Sequence, residues 1–287
     1  IEKKMVIPSN YLFIIEKGSK IDLINNSNIL SFSPIKFVGS KNEPIEFYSS
    51  DSTGQGLSVI NANAKSFMSN VKINNLVYPN QSGINLTGSV NFYQSDIDID
   101  SSSFINNLSE DALNIIRSKY SISHSVFSGT YSDAFDGDFS KGRIVNTKFY
   151  NCGNDAIDIS GSELIIDSIY IDNAGDKAIS VGEKSNLVGQ NIKINNSEIG
   201  ITSKDSSIVK LDNIIINNTK IGLTAYQKKP EYGPAKITVN NISLNNVNND
   251  YFIEEYSTMI YKGEYVETIN KKVENMLYGA IYGKASK

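Results

Sequence analysis

From residue 111 to residue 226 the chain alternates apolar and polar positions with period two, in short runs broken by Asn, Asp, Ser and Gly. Leu113 and Ile115 oppose Asn114 and Ile116; Ile157 and Ile159 oppose Asp158 and Ser160. Alternation of this kind predicts half-buried strands, and no 3.6-residue period competes with it. The runs also share one register. Asp111-Ala112-Leu113-Asn114, Asp133-Ala134-Phe135-Asp136, Asp155-Ala156-Ile157-Asp158, Lys177-Ala178-Ile179-Ser180, Ile199-Gly200-Ile201-Thr202 and Ile221-Gly222-Leu223-Thr224 recur every 22 residues. A period of this size marks a repeat in which each unit buries its apolar face against its neighbours, so residues 22 apart should stack.

About 22 residues hold three short strands and three turns at roughly 3.3 Å per strand residue, which is one coil of a parallel β-helix. Parallel strands joined this way coil right-handedly. The predicted fold is therefore all-β, a single-stranded right-handed parallel β-helix forming one domain over 1–287. Residues 1–50 make an N-terminal cap and the first coils, with the stretch through Ile24 closing that end. Residues 51–250 make the regular coils, and 251–287 a C-terminal cap. Ser89–Ser95 overlays Ala112–Ser118 with a shift of 23, Gly56–Val59 marks an earlier coil, and Val77–Gly83 reads as a turn looping outward. Asn151, Asn173, Asn195 and Asn217 form a further 22-residue column, expected to be an amide ladder. Between Glu264 and Gly279 the spacing of Tyr265, Ile269, Val273, Met276 and Leu277 predicts an amphipathic capping helix.

The formal net charge of −4, with only Arg117 and Arg143 as arginines, gives no support to a nucleic-acid partner. The single cysteine, Cys152, rules out an internal disulfide framework. No run of 18 apolar residues exists, so no helical membrane span is expected. His124 is the only histidine and lies in a second strand on another face, which excludes a histidine triad or a zinc site. Because Ile1 is not an initiator Met, removal of an export segment and a secreted or cell-surface location are expected.

In the repeat, Ile residues fill the coil and the alternate positions point out. One outward column is Asn91, Asn114, Asp136, Asp158, Ser180, Thr202, Thr224; two residues on lies Ile116, Asp138, Ser160, Gly182, Lys204, Tyr226. The preceding turn column is Asp111, Asp133, Asp155, Lys177. Carboxylates one coil apart, about 4.8 Å, repel by roughly 1 kcal/mol in water and more near a low-dielectric surface. A bound cation, raised pKa values or salt bridges must offset this. A hard, oxygen-loving cation is the simplest answer, and Asp111, Asp133, Asp136, Asp155 and Asp158 are the candidate Ca²⁺ ligands. The competing reading makes the turn aspartates side-chain caps. Gly137, inward between Asp136 and Asp138, is expected to mark a bulge or close approach to a ligand.

Asn154–Gly161 followed by Gly175–Gly182 resembles the right-handed β-helix carbohydrate-active proteins, the pectate lyase and polygalacturonase-like superfamily. Against the polygalacturonase branch the matching positions read Asn154-Asp155, Asp133 and Asp176-Lys177-Ala178, so an Asn replaces the acid and a Lys the His. The pectate lyase branch implies an Asp-bound Ca²⁺ and a Lys that takes a proton beside a uronate. On that resemblance the expected function is Ca²⁺-assisted cleavage of an anionic polysaccharide, with Lys177 as base and Arg117 clamping a carboxylate. Asn114, Asp138, Lys204 and the loop residues Tyr226, Lys228 and Tyr232 are the expected substrate contacts. A hydrolase or epimerase on the same fold, and a non-catalytic carbohydrate-binding or structural β-helix, stay open as alternatives.

Overall fold

The computed structural model describes residues 1–81, 84–269 and 271–279. Its chain winds through about 11 turns of a parallel β-solenoid, and each coil contributes to three sheets. The first sheet carries the repeated segments: Asp111 pairs with Asp133, Phe135 with Ile157, Ile157 with Ile179, Ile179 with Ile201 and Ile201 with Leu223. The 22-residue register is therefore spatial stacking. Gly88 pairs with Asp111 and Leu57 with Val90, so the register runs backwards through the segments expected to precede it.

Inward side chains of all three sheets merge into one core. It contains Leu113, Phe135, Ile157, Ile179, Ile201 and Leu223 from the first sheet, with Ile122, Ile144, Ile166 from the second. On the third sheet Phe104, Phe127 and Phe149 stack face to face, with centroids 4.6 and 4.9 Å apart. Parallel coils place like residues over like, so a planar ring in one coil meets a planar ring in the next.

The asparagine ladder exists, but its register shifts. Asp172 pairs with Asn195, one residue more than the period predicts, so Asn173 falls in the column of Asn196. Two parallel ladders result. Asn173 donates to Asn151, Asn218 to Asn196 and Asn246 to Asn218; beside them, Asn217 donates to Asn195 and Asn245 to Asn217. Asn151, Asn173, Asn196, Asn218 and Asn246 all have φ between 49° and 68°, the left-handed corner that Asn tolerates.

Residues 1–24 make a first coil: Met5–Ile7, Phe13–Ile15 and Lys20–Asp22 pair in parallel with the next coil. At the other end Glu264–Tyr265 is a strand turned back on Thr258–Tyr261, and the helix is confined to Val273–Leu277. Only Val273 and Leu277 of that stretch are buried, whereas Tyr265 is exposed. The helix lies on the flank of the first sheet against Ile199, Ile221 and Tyr226, leaving the end of the solenoid to the turned-back strand. The excursion expected at 77–83 contains the hairpin strands Asn80–Gln81 and Ile84–Asn85; residues 82 and 83 lie outside the described residues. Among the described residues no helix is long and apolar enough to cross a membrane.

Candidate functional site

The strands put the acidic columns side by side on the outer face of the first sheet. Asp136 stacks on Asn114 below and Asp158 above, and Asp138 sits between Ile116 and Ser160. Asn114 Nδ2 lies 3.2 Å from Asp111 Oδ2 and 3.1 Å from Asp136 Oδ2, joining the turn column to the floor. Asp111 and Asp155 are buried; Asp133, Asp136, Asp138 and Asp158 keep partial access to solvent.

The turn aspartates cap the stack. Asp133 Oδ1 accepts from the Asp155 amide at 2.9 Å and from Asn154 Nδ2 at 2.6 Å, and Asp155 Oδ1 accepts from the Lys177 amide at 2.9 Å. Even so, the carboxyls are too crowded and too dry to ionise together. Burial first, then the neighbouring acids, raises Asp111 to about 7, Asp133 to about 8 and Asp138 to about 6. Asp155 rises to about 6 through burial, against the pull of Lys177. Burial, with Asp111 next, pushes Asp136 well above the carboxylate range. At neutral pH the cluster therefore holds protons.

Lysines close the upper end. Lys177, 3% exposed, is 2.5 Å from Asp176 and 3.7 Å from Asp155. Burial alone would depress its pKa, but those carboxylates outweigh it and lift the ammonium well above the lysine range. In this environment Lys177 is a fixed cation, whereas a proton-abstracting base must be neutral at working pH. Lys204, also buried, donates to Ser180 Oγ at 2.9 Å and lies 3.9 Å from Asp158 Oδ1. Its stem fills the space left by Gly182, where a Cβ would fall 2.6 Å from Lys204 Cε. Gly137 has a different cause from the ligand approach expected of it. A Cβ there would meet the Phe135 ring at 3.2 Å, so the glycine makes room for an aromatic in the core.

The remaining candidates lie at the rim. Arg117 occupies the corner after Ile116 with its guanidinium 5.5 Å from the Phe139 ring, turned from the acidic floor. Tyr226 is fully buried under Val273 and Leu277. Lys228 and Tyr232 lie in the flanking loop, Lys228 over the Tyr278 ring and Tyr232 under Lys184. Asn114, Asp138 and Lys204 are thus in the acidic site, Tyr226 in its wall, and Arg117, Lys228 and Tyr232 outside its floor.

The profile described as a right-handed β-helix region matches residues 111–273, more than half of the chain. The chain belongs to the right-handed β-helix family. A solved structure of a double mutant of the periplasmic alginate epimerase AlgG is similar to this β-helix with a TM-score of 0.51 at 11% identity, over 90% of this chain and 77% of the epimerase. The catalytic domain of a GH87 α-1,3-glucanase in complex with tetrasaccharides gives 0.42 at 14% identity, over 94% of this chain. This chain spans 64% of that glucanase domain, less than two thirds. An alginate lyase from Paenibacillus sp. str. FPU-7 gives 0.46 at 10% identity, over 83% of this chain and 91% of the lyase. At these identities the likeness is one of fold. A comparison with curated proteins finds no match.

An all-oxygen donor set has the chemistry for Ca²⁺, and Asn114 Oδ1 and Asp158 Oδ1 are buried without a hydrogen-bond partner. Yet among the described residues no group of three or more Asp, Glu, His or Cys side chains converges as a metal site. The Asp176–Lys177 pair is the salt bridge that the sequence offers as the alternative to a base at Lys177. Two participants were not singled out from the sequence: Thr87 Oγ1 accepts from Asn114 at 3.3 Å, and the Tyr278 ring lies 5.6 Å from Lys177 Nζ. Thr87 and Tyr278 come from segments outside the repeat and leave no periodic trace.

Proposed function

We propose that the acidic cleft hydrolyses glycosidic bonds of a neutral polysaccharide, with Asp136 as general acid and Asp158 as its carboxylate partner. The observation that carries this reading is the pairing of the two on adjacent coils in opposite environments. Burial and Asp111 hold a proton on Asp136, while Lys204 sits beside Asp158 as its counter-cation. Glycoside cleavage uses such a pair, one carboxyl donating a proton to the leaving oxygen and the other acting as carboxylate on the ring. One coil step, about 4.8 Å, matches the close spacing of about 5–5.5 Å that accompanies a covalent glycosyl intermediate and retained anomeric configuration.

The same charges select the substrate. A uronate laid on this floor would meet Asp133, Asp136, Asp138 and Asp158, whereas a neutral sugar offers hydroxyls that both protonated and ionised carboxyls can bond. A protein with this activity meets its polymer outside the cytoplasm, consistent with a secreted or surface location.

The test is a panel of neutral glucans and mannans beside alginate and polygalacturonate, with and without EDTA. The reading expects new reducing ends from a neutral polymer, insensitive to EDTA. Asp136→Asn and Asp158→Asn should each lose at least about 10²-fold in rate, the scale of general acid–base catalysis. The buried oxygens of Asn114 and Asp158 that lack a hydrogen bond favour one second reading, Ca²⁺-assisted elimination from a uronate polymer. That reading expects an unsaturated product from alginate or polygalacturonate only when Ca²⁺ is present.

A further inference from the structure

The outer face of the first sheet is open over only part of its length. Below the acidic coils, Ser58, Asn91 and Asn114 face outward yet are buried. Leu86 packs there with Leu30 and Ile60, Pro79 lines the same spot, and Thr87 bonds Asn114. Above them, Ser180, Thr202, Thr224, Lys204 and Tyr226 face outward and are also buried. Val273 and Leu277 lie on Ile199, Ile221 and Tyr226, and the Tyr278 ring covers Lys177. Partial access survives at Asp136 and Asp158 in one column, and at Tyr93, Ile116, Asp138 and Ser160 in the next.

Both walls come from segments that leave the repeat. The lower is made by Pro79, Leu86 and Thr87, between the coil of Leu57 and that of Val90; the upper by Val273, Leu277 and Tyr278. A regular 22-residue coil has no residues to spare for such cover, so each wall is an addition to the solenoid. From Tyr93 to Ser160 the open floor spans three coil steps, roughly 14 Å. That is a few sugar rings, with the proposed pair Asp136 and Asp158 at its upper half.

We propose that this cleft accepts the end of a glycan chain and not its interior, so that the protein acts from chain ends. The inference rests on the reading of the acidic cleft as a glycan site. A chain interior lying along the solenoid axis must continue past the floor in both directions, and both directions are filled by side chains. A terminal oligosaccharide need only reach the floor from outside, where Tyr93 and Ile116, packed on Leu30, Ile60 and Leu86, leave a half-buried apolar edge beside the lower wall. Sugar C–H faces pack on such an edge while the hydroxyls meet Asp138 and Asp136.

Two readouts test it. Asp136→Asn, which should bind without turnover, is titrated calorimetrically with neutral glucans and mannans graded from trisaccharide to polymer. Chain-end binding predicts one protein per chain at every length, with affinity per mole of chain unchanged beyond the first few sugars. A stoichiometry that climbs with chain length, or no binding to any member, overturns the inference. With wild-type protein, chain-end action predicts one short product from the start and viscosity that lags behind reducing-end release. A ladder of random sizes with an early fall in viscosity also overturns it. One protein per chain without any turnover would instead fault the hydrolase reading and leave chain-end recognition standing.

Discussion

At the residue scale, the chemistry of this β-helix comes from crowding aspartates until some of them keep their protons. Asp111, Asp133, Asp138 and Asp155 are raised from the ordinary carboxylate range to about 7, 8, 6 and 6. The folded state therefore binds more protons than the unfolded chain between about pH 4 and 8, and stability must fall as pH rises through that window. Thermal melts should show a higher midpoint at pH 5 than at pH 8, and Asp133→Asn should flatten the slope. A midpoint rising over the same interval would mean that the cluster ionises freely. Lys177 belongs to the same balance. Lys177→Met takes from Asp155 and Asp176 their nearest counter-charge. Truncating one partner of a buried pair costs about 3–5 kcal/mol, so the denaturant midpoint should drop sharply. Turnover lost with the midpoint unchanged would restore Lys177 to the role of base.

At the element scale, each strand is legible because its neighbours repeat it. The two-residue alternation located the strands, and the 22-residue period gave the stacking of Asp111 on Asp133 and of Asp136 on Asp158. The asparagine ladder was readable as chemistry but shifted in register, because the coil joining Asp172 to Asn195 carries one extra residue. The 22-residue spacing resumes where Lys177 pairs with Ile199, so the extra residue is offset within the same coil and leaves no trace in the repeated segments. The C-terminal helix is present but shorter than the expected stretch, because an apolar spacing of three and four residues describes a face without fixing how far it extends or what it meets. Val273 and Leu277 bury themselves on the outside of the first sheet, with Ile269 packed in part beside them. Side-chain protonation was legible only as a repulsion needing relief. Which relief is used depends on burial, and the covers that create it lie outside the repeat. Stacking also makes the elements interdependent. Phe127 is fully buried between Phe104 and Phe149, and Phe127→Ala should cost about 3–5 kcal/mol. Hydrogen exchange should then speed up first in the strands carrying those three rings, because a solenoid coil is held only by its neighbours. Uniform acceleration along the whole chain would contradict nearest-neighbour coupling.

At the scale of the whole molecule, the solenoid is a ruler and the departures from it make the site. Regular coils set the carboxyls one step apart, and the two excursions that interrupt the regularity enclose them between Leu86 and Thr87 on one side and Leu277 and Tyr278 on the other. Enclosure lowers the local polarity, and that raises the carboxyl pKa values and limits what can enter. If Asp136 must be protonated to donate, kcat/KM on a neutral glycan should fall on the alkaline side as the cluster ionises. A profile that instead rises with pH would assign the essential group as a base. Hydrolysis and elimination differ in the fate of one water molecule, so cleavage in oxygen-18 water, read by mass spectrometry of the products, tests the central claim most directly. The account predicts one labelled oxygen at the anomeric carbon of the fragment that carries the new reducing end, and none on the leaving fragment, which keeps the glycosidic oxygen. A product lighter by one water, unlabelled and carrying a double bond, would contradict it.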